Sequence, residues 1–284
     1  MKENKTVNKS PKHLKVLLWN VECTAGYRHG NNALLPLLNG IDIKNEEKPD
    51  IIILNEFYKL HDYNTFKIEF EQSGYVVFED SRVAEKGENQ ILIAVLKKID
   101  GIDFEQAEII NPTRENSQKM PNLLSVSLRY KGKPLAIIGT RIRCGNGTEQ
   151  DYTERKNEFD ELIKLIDNFQ EKAVDVLIAG DFNHARLLHS QDADLTADEI
   201  NAIYDGYLQK EYNYHSIKLE CSKRALKVCT PNNEVGSIKN KRTRSIGAIK
   251  LDHLIIPNTM AVEDEVYIFN EYSDHAMLQA KIKI

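Results

Sequence analysis

Short polar clusters occur at five places along the chain, and four of them lie at or directly after an apolar, strand-like run. Polar chemistry at strand ends is typical of an α/β fold, in which ligands bind just beyond the ends of the strands. The clusters extend from Asn20 to His275, so a site built from them needs both halves of the chain in one domain. In chain order, their polar residues are Asn20, Glu22, Glu56, Asp181, Asn183, Asp252, Asp274 and His275.

Between the clusters, strand and helix patterns alternate without a break in composition. Apolar runs predict buried strands at 14–20, 50–54, 174–179 and 249–256, and the alternation over 123–130 with a return over 134–140 predicts a β-hairpin. Helices are predicted over 152–171 and 196–208, and a weaker one over 31–47, where Pro36 and Gly40 interrupt the pattern. We therefore predict a disordered leader over residues 1–13 and one mixed α/β (α+β) domain, two packed sheets with outer helices, over residues 14–284.

The composition indicates a folded globular protein, with 41% hydrophobic residues, 29% charged residues and a net charge of -5. This charge argues against a polybasic nucleic-acid binder but not against a nuclease, because a bound metal supplies its own positive charge. No apolar run is long enough to span a membrane, and the polar N-terminus is not a secretory signal. The four cysteines lack zinc-site spacing, so we expect reduced thiols, a cytoplasmic location and, by default, a monomer.

Glu56 and the pair formed by Asp181 and Asn183 have the residue types that bind a metal and a water. Glu56 ends a buried strand, where a carboxylate needs a partner such as Mg²⁺; a solvent-facing glutamate is the alternative. In Gly180-Asp181-Phe182-Asn183, we expect Gly180 to allow a sharp exit from the strand and Phe182 to turn into the core. Asp181 and Asn183 would then project together and hold an attacking water and a phosphate oxygen. The alternative is an Asx turn.

Asp252 and His275 indicate a second pair near the C-terminus. Asp252 lies in a strand-like run and can orient His275, whose imidazolium would act on a phosphate. The alternative for a lone histidine is a structural role in the core or at the surface. Asn20 can orient a catalytic carboxylate. Glu22 can add negative charge near a metal, although exposed glutamates in salt bridges are common.

Together, the motifs Trp-Asn-x-Glu, Asn-Glu, Gly-Asp-Phe-Asn, Leu-Asp-His and Ser-Asp-His resemble those of the endonuclease/exonuclease/phosphatase superfamily, which includes pancreatic-type deoxyribonucleases and apurinic/apyrimidinic endonucleases. The five motifs occur in the family's order and cover nearly the whole chain, from about Leu14 onward. The resemblance implies a four-layer sandwich in which helices flank two central, mostly antiparallel sheets. It also implies a Mg²⁺- or Mn²⁺-dependent phosphoric ester hydrolase whose metal site lies at one rim.

The resemblance and the residue types together give each polar residue an expected role. The expected metal ligands are Glu56, which resembles the family's main ligand, Asp274 and Glu22. The expected catalytic residues, which align or deprotonate the water or meet the scissile phosphate, are Asn20, Asp181, Asn183, Asp252 and His275.

The strand over 134–140 departs from the family pattern. Where the family has a His or a Tyr at the strand end, this chain has Thr140-Arg141-Ile142-Arg143. An arginine binds a phosphate through two parallel hydrogen bonds but does not release its proton near neutral pH. We therefore predict that Arg141 and Arg143 clamp a substrate phosphate; the alternative is a pair of surface charges. The basic loop over 237–245 is compatible both with phosphate contacts and with solvated charges.

The sequence thus predicts a divalent-metal-dependent phosphodiesterase, a nuclease that cleaves DNA or RNA by in-line attack of water. Nucleic acid is favoured as the substrate by the arginine-rich rim and by the absence of an apolar, membrane-facing hairpin. Two alternatives stay open. One is a phosphatase or phosphodiesterase that acts on an inositol phosphate, a phospholipid head group or a nucleotide. The other is a non-catalytic member of the fold that binds nucleic acid or protein.

Overall fold

A computed structural model describes residues 13–23, 32–79, 90–110, 122–142, 149–183, 217–232, 235–239 and 250–283. The strands in these ranges are β1 His13–Asn20, β2 Ile51–Phe57, β3 Tyr75–Glu79, β4 Gln90–Leu96, β5 Ile102–Ile109, β6 Asn122–Tyr130, β7 Lys133–Arg141, β8 Asp175–Asp181, β9 Leu226–Cys229, β10 Asp252–Pro257, β11 Ala261–Ile268 and β12 Met277–Lys283. The helices are α1 Leu37–Ile41, α2 Tyr63–Gln72, α3 Glu149–Glu171 and α4 Ile217–Lys223.

The strands form two six-stranded sheets of the same design. Sheet 1 has the order β11-β12-β1-β2-β4-β3, and sheet 2 has the order β5-β6-β7-β8-β10-β9. One central pair in each sheet is parallel, β1 with β2 and β7 with β8, and the remaining neighbours are antiparallel. The predicted hairpin is β6 and β7, which pair from Asn122 opposite Arg141 to Tyr130 opposite Lys133.

Three apolar clusters hold the layers together. The largest lies between the two sheets and includes Leu18 and Ile53 from sheet 1 and Ile137 and Leu177 from sheet 2. The alternation of buried side chains along each strand sends the intervening residues to the outer faces. There α2 packs on sheet 1 and α3 on sheet 2, each through apolar residues on one side of the helix. This four-layer sandwich of two mostly antiparallel sheets confirms the predicted fold class.

Some local expectations need correction. The helical pattern over 31–47 gives only the short α1, because Pro36 precedes it and Asp42, in the left-handed conformation, ends it. β1 begins at His13, which pairs with Lys283, so this last residue of the predicted leader belongs to sheet 1. The rest of that leader and the predicted helix over 196–208 lie outside the described residues. No helix in the described ranges is long and apolar enough to cross a membrane.

Gly180 has a different role from the expected one. It lies inside β8, which continues to Asp181, so it makes no sharp exit from the strand. A Cβ atom at this position would overlap the carbonyl oxygen and the methyl group of Thr140 on the parallel neighbour β7. Gly180 therefore lets β7 and β8 approach at their ends. Phe182 does turn into the core as expected and is 1% exposed.

His253 gives the fold a measurable pH dependence. It is 4% exposed, its Nδ1 lies 2.8 Å from the Thr230 hydroxyl, and its ring packs beside Phe182. Burial, with the nearby charges of Lys218 and Lys250, lowers the pKa of His253 to about 3. The unfolded chain therefore binds the extra proton first, and stability falls as the pH drops below about 6.5.

We expect this residue to contribute a loss of about 2 kcal/mol in the free energy of unfolding between pH 7 and pH 5. Denaturant titrations of the wild type and of His253→Asn at both pH values measure it. Between pH 7 and pH 5, the free energy of unfolding of the variant should therefore fall by about 2 kcal/mol less than that of the wild type. This difference does not depend on the stability of the variant at pH 7. The exposed His61 provides the control, because His61→Asn should leave the wild-type pH dependence unchanged. Equal slopes for the wild type and His253→Asn would contradict the prediction.

Candidate active site

The two parallel strand pairs end at the same rim of the sandwich. Asn20 at the end of β1 is opposite Asn55 in β2, and Arg141 at the end of β7 is opposite Asp181 in β8. Two hydrogen bonds join the sheets here: Asn55 Nδ2 donates to the Thr140 carbonyl at 2.9 Å, and Asn20 Nδ2 donates to Asp181 Oδ2 at 3.0 Å. Polar side chains from both sheets are therefore held together beyond the strand ends.

Three residues at this rim have left-handed backbone conformations. The φ angles are 47° for Glu22, 48° for Glu56 and 44° for Asn183. Side chains other than glycine rarely adopt this region, and such residues are concentrated at functional sites. At Glu56 the conformation coincides with a register shift between β2 and β4, which lies between Leu54 and Phe57. The chain thus leaves regular pairing where these polar side chains enter the site.

Asp181 is the centre of a hydrogen-bond network and is 1% exposed. Its Oδ1 accepts the backbone N–H of Asn183 at 2.9 Å, and its Oδ2 accepts the side-chain N–H groups of Asn183 at 2.9 Å and Asn20 at 3.0 Å. Burial raises the pKa of Asp181, and the negative charges of Asp252 and Glu56 add to the rise. The charges of His275 and Arg141 oppose it. The result is a buried, oriented carboxylate that is easier to protonate than an ordinary aspartate.

Asp252 and His275 form the expected pair. His275 Nδ1 lies 2.9 Å from Asp252 Oδ2, with Asp252 fully buried and His275 6% exposed. Burial alone would lower the pKa of His275, but the charge and hydrogen bond of Asp252, with the charges of Asp181 and Asp274, raise it to about 10. His275 is therefore an imidazolium at neutral pH that donates one N–H to Asp252.

Glu56 is paired with Arg141 across the two sheets. Arg141 Nη2 lies 2.7 Å from Glu56 Oε1, and the side chains are 14% and 15% exposed. Burial would raise the pKa of Glu56, but the charges of Arg141 and His275 and hydrogen bonds from Asn20 and Arg141 lower it overall. Arg141, predicted as a phosphate clamp, is thus held at the predicted metal ligand.

The residues at the rim fit a divalent cation by charge and by donor type. Among the described residues, four buried or nearly buried carboxylates share the rim with two cationic side chains, and carboxylate oxygens are the ligands that Mg²⁺ prefers. The carboxylates belong to Glu56, Asp181, Asp252 and Asp274, and the cations belong to Arg141 and His275.

A second possible set of metal ligands lies at the same rim. One ligand atom each from Asp181, Asp252 and His275 lie within 4.8 Å of one another, close enough for a shared metal. Metal ligation requires an unprotonated imidazole, however, and His275 is charged and hydrogen-bonded to Asp252. A cation bound by this set would have to displace that proton.

The remaining predicted residues lie in different places. Asp274 is 5% exposed, directly before His275, and its charge acts on that imidazolium. Glu22 joins the network through its backbone, since its N–H donates to Asn20 Oδ1 at 3.1 Å. Arg143 lies outside the described residues. So do Lys241, Arg242 and Arg244 of the basic loop, whose described Lys239 donates its ammonium to the Asn270 carbonyl at 2.6 Å.

Three residues position the site although no role was predicted for them. Asn55 ties the ends of β2 and β7 together. Ser237 Oγ accepts the backbone N–H groups of Leu251 at 2.8 Å and Asp252 at 3.3 Å. Ser273 Oγ donates to the Asn20 carbonyl at 2.7 Å and accepts the His275 N–H at 3.1 Å. Asn55 and Ser273 lie inside recognised motifs, which was an available signal; Ser237 carries no such signal.

No protein-family model and no curated protein matches the sequence. Solved structures match over nearly the full chain. For the 3'-5' exonuclease NExo from Neisseria meningitidis, the TM-score is 0.61 at 16% identity, over 95% of this chain and 100% of that one. TDP2 from D. rerio, complexed with a single-strand DNA product, gives 0.57 at 17% identity, over 96% and 99%. An endonuclease/exonuclease/phosphatase family protein from Bacteroides thetaiotaomicron gives 0.58 at 16% identity, over 96% and 98%.

The chain has the endonuclease/exonuclease/phosphatase fold. At identities of 16–17%, the similarity of these three structures concerns the fold alone. In this chain, the endonuclease/exonuclease/phosphatase fold brings the ends of β1, β2, β7 and β8 and the start of β10 to one rim, together with the segment before β12. What that rim does must follow from its own side chains.

Proposed function

We propose that this chain is a divalent-metal-dependent phosphodiesterase that hydrolyses DNA or RNA. One observation carries the proposal: polar groups from distant parts of the chain converge on one rim, joined by the Asn20–Asp181, Asp252–His275 and Glu56–Arg141 contacts. Carboxylates, amides and a charged imidazole in one buried cluster suit water attack on a phosphate ester. A structural core would not need four acidic groups at this position.

Asp181 is proposed to take the proton of the attacking water. The raised pKa of Asp181 makes its carboxylate a stronger base than an ordinary aspartate, and general bases work best when their pKa lies near the working pH. Three N–H groups fix the carboxylate, so the orbital that accepts the proton has a defined direction. Asn183 is held in turn, because its Nδ2 also donates to the Ile142 carbonyl at 2.8 Å.

His275 is proposed to stabilise negative charge on the phosphate as the reaction proceeds. The hydrogen bond from Nδ1 to Asp252 leaves Nε2 as the second donor of the imidazolium. Such preorganised donors act strongly in a buried site because water does not screen them. Asp252 acts through His275 and is a positioning residue.

Glu56 and Asp274, with Glu22 at the edge, are proposed to hold Mg²⁺ or Mn²⁺. When bound, the cation would neutralise charge on the phosphate and on the leaving oxygen. Arg141 is proposed to contact the phosphate from the β7 side, and Arg143 is proposed as a second phosphate contact from the sequence alone. Because an arginine keeps its proton, neither residue replaces the His or Tyr of the family as a proton donor.

The names of the structural neighbours favour a nucleic-acid substrate and leave two reactions to compare. TDP2 is complexed with a single-strand DNA product, and NExo is named a 3'-5' exonuclease. NExo bound to a DNA hairpin product is also named a 3' phosphatase. We therefore propose internal or terminal phosphodiester cleavage first, and removal of a terminal phosphate from a nucleic acid as the second candidate.

The chain is also proposed to act as a single catalytic domain, predicted over residues 14–284 and extended to His13 by β1, in a reducing compartment such as the cytoplasm. Cys23, Cys221 and Cys229 are buried free thiols. Burial raises the pKa of each thiol, so these cysteines are poor nucleophiles and belong to the core.

Metal removal tests the proposal. Supercoiled DNA, single-stranded RNA and 3'-phosphorylated oligonucleotides are incubated with the protein in Mg²⁺ or Mn²⁺, with and without EDTA. We expect EDTA to slow hydrolysis by about three orders of magnitude, since a catalytic metal contributes several kcal/mol, and added Mg²⁺ to restore it. Unchanged hydrolysis in EDTA would remove the metal from the mechanism. No hydrolysis of any substrate would favour the non-catalytic alternative.

A further inference from the structure

The pair of Glu56 and Arg141 places a protein cation at the proposed metal ligand. Arg141 Nη2 is 2.7 Å from Glu56 Oε1, and little solvent reaches either side chain. Ion pairs shielded in this way are weakly screened by salt. A divalent cation that binds Glu56 must therefore share the carboxylate with the guanidinium or displace it.

Glu56 and Arg141 differ in how freely their side chains can move. The backbone of Glu56 has a left-handed conformation and its carbonyl accepts the Cys23 N–H at 3.0 Å, while Asn20 and Arg141 donate hydrogen bonds to its carboxylate. The neighbouring Asn55 is tied to sheet 2. Arg141 is the last residue of β7, and its guanidinium lies at the end of a long side chain with several rotatable bonds. We therefore expect the guanidinium, rather than the carboxylate, to change position when a cation binds.

We infer that Arg141 is an internal competitor for the cation at Glu56, and that cation binding releases its guanidinium to a substrate phosphate. This inference rests on the proposed function. A cation and a guanidinium repel each other, whereas a phosphate attracts both, so a phosphate at the rim gives the displaced Arg141 a new bidentate partner. Arg141 thereby lowers affinity for the metal alone and raises affinity for phosphate in the presence of metal.

Titration calorimetry with Mn²⁺ at pH 8 tests whether Arg141 competes with the cation for Glu56. If the pair is formed about nine-tenths of the time, Arg141→Gln should bind Mn²⁺ about tenfold more tightly than the wild type, because the competitor is gone. Arg141→Lys keeps the charge and should stay closer to the wild type. Glu56→Gln should lose binding. The matched control is Arg224→Gln, which removes an arginine paired with Asp167 and Glu220 at 16% exposure and should leave Mn²⁺ affinity unchanged.

The binding of inorganic phosphate in saturating Mg²⁺ tests whether the released Arg141 guanidinium binds phosphate. Here Arg141→Gln should weaken affinity by about tenfold, as expected for loss of a charged hydrogen-bond donor. If Arg141 had only a structural role, Arg141→Gln would weaken the binding of both Mn²⁺ and phosphate. The inference instead predicts that the variant binds Mn²⁺ more tightly and phosphate more weakly. Equal or weaker Mn²⁺ binding by Arg141→Gln overturns the inference, and EDTA-sensitive hydrolysis would leave the proposed function standing. If neither protein binds Mn²⁺ and hydrolysis ignores EDTA, both proposals fall.

Discussion

Asp181→Asn should reduce the rate of phosphodiester hydrolysis by about 10³-fold, within the range expected for loss of a general base. The amide keeps the size of the carboxylate but cannot accept the proton of water. It also cannot accept all three N–H groups that reach Asp181, because one of its two positions becomes a donor. We therefore expect an accompanying loss of about 1–3 kcal/mol in the free energy of unfolding from the unmatched buried donor. Initial rates under saturating Mg²⁺, with thermal unfolding measured on the same preparation, separate the two effects.

The control is a less buried aspartate that lies away from the rim, at the opposite end of β2. Asp50 is half-buried before β2, its carboxylate accepts the Lys15 N–H at 2.8 Å, and burial raises its pKa. Asp50→Asn should leave the hydrolysis rate close to that of the wild type. A rate for Asp181→Asn within tenfold of the wild type, in a protein that remains folded at the assay temperature, would exclude Asp181 as the base.

The central strands could be predicted because their sequences are continuously apolar. β1, β2, β4 and β8 are buried on both faces between the sheets and the outer helices, so each contains an unbroken run of at least four hydrophobic residues. The edge strands β5 and β11 were missed. Most of their residues are at least partly exposed, and both contain a register shift that breaks the alternation on which strand prediction depends.

The positions of the site residues could be predicted more readily than their contacts. Strand ends place Asn20, Asp181 and Arg141 at the rim, because the parallel pairs of the two sheets end together. The partner of Arg141 depends on side-chain rotamers and on the distance between the sheets, which no local pattern encodes. The hydrogen bonds from Leu251 and Asp252 to Ser237 likewise depend on a long-range contact.

Asp252→Asn is expected to lower the hydrolysis rate by about 10²–10³-fold at pH 8, a typical loss when one preorganised charge-stabilising donor fails. Asp252 supplies the nearest negative charge to His275 and accepts its Nδ1–H. Without that charge, only Asp181 and Asp274 still oppose the effect of burial, so the pKa of His275 should fall toward its ordinary value. The variant then carries a neutral imidazole at pH 8, whereas the wild type carries an imidazolium.

The charge state of His275 determines the sign of the pH dependence. As the pH falls from 8 to 6, the variant regains the imidazolium while the wild type already has it, so the ratio of variant rate to wild-type rate should rise. The protonation of Asp181 does not cancel in this ratio, because the charges of Asp252 and His275 both act on its pKa, so the titration of His275 is also measured directly. Asp167→Asn, which breaks the 2.6 Å contact with Arg224 away from the rim, should give a ratio near one at every pH. NMR titration of His275 should show no deprotonation near pH 7 in the wild type and a titration there or lower in Asp252→Asn. A ratio that stays flat, with His275 neutral in the wild type at pH 8, would mean that Asp252 does not act through the charge of this imidazole.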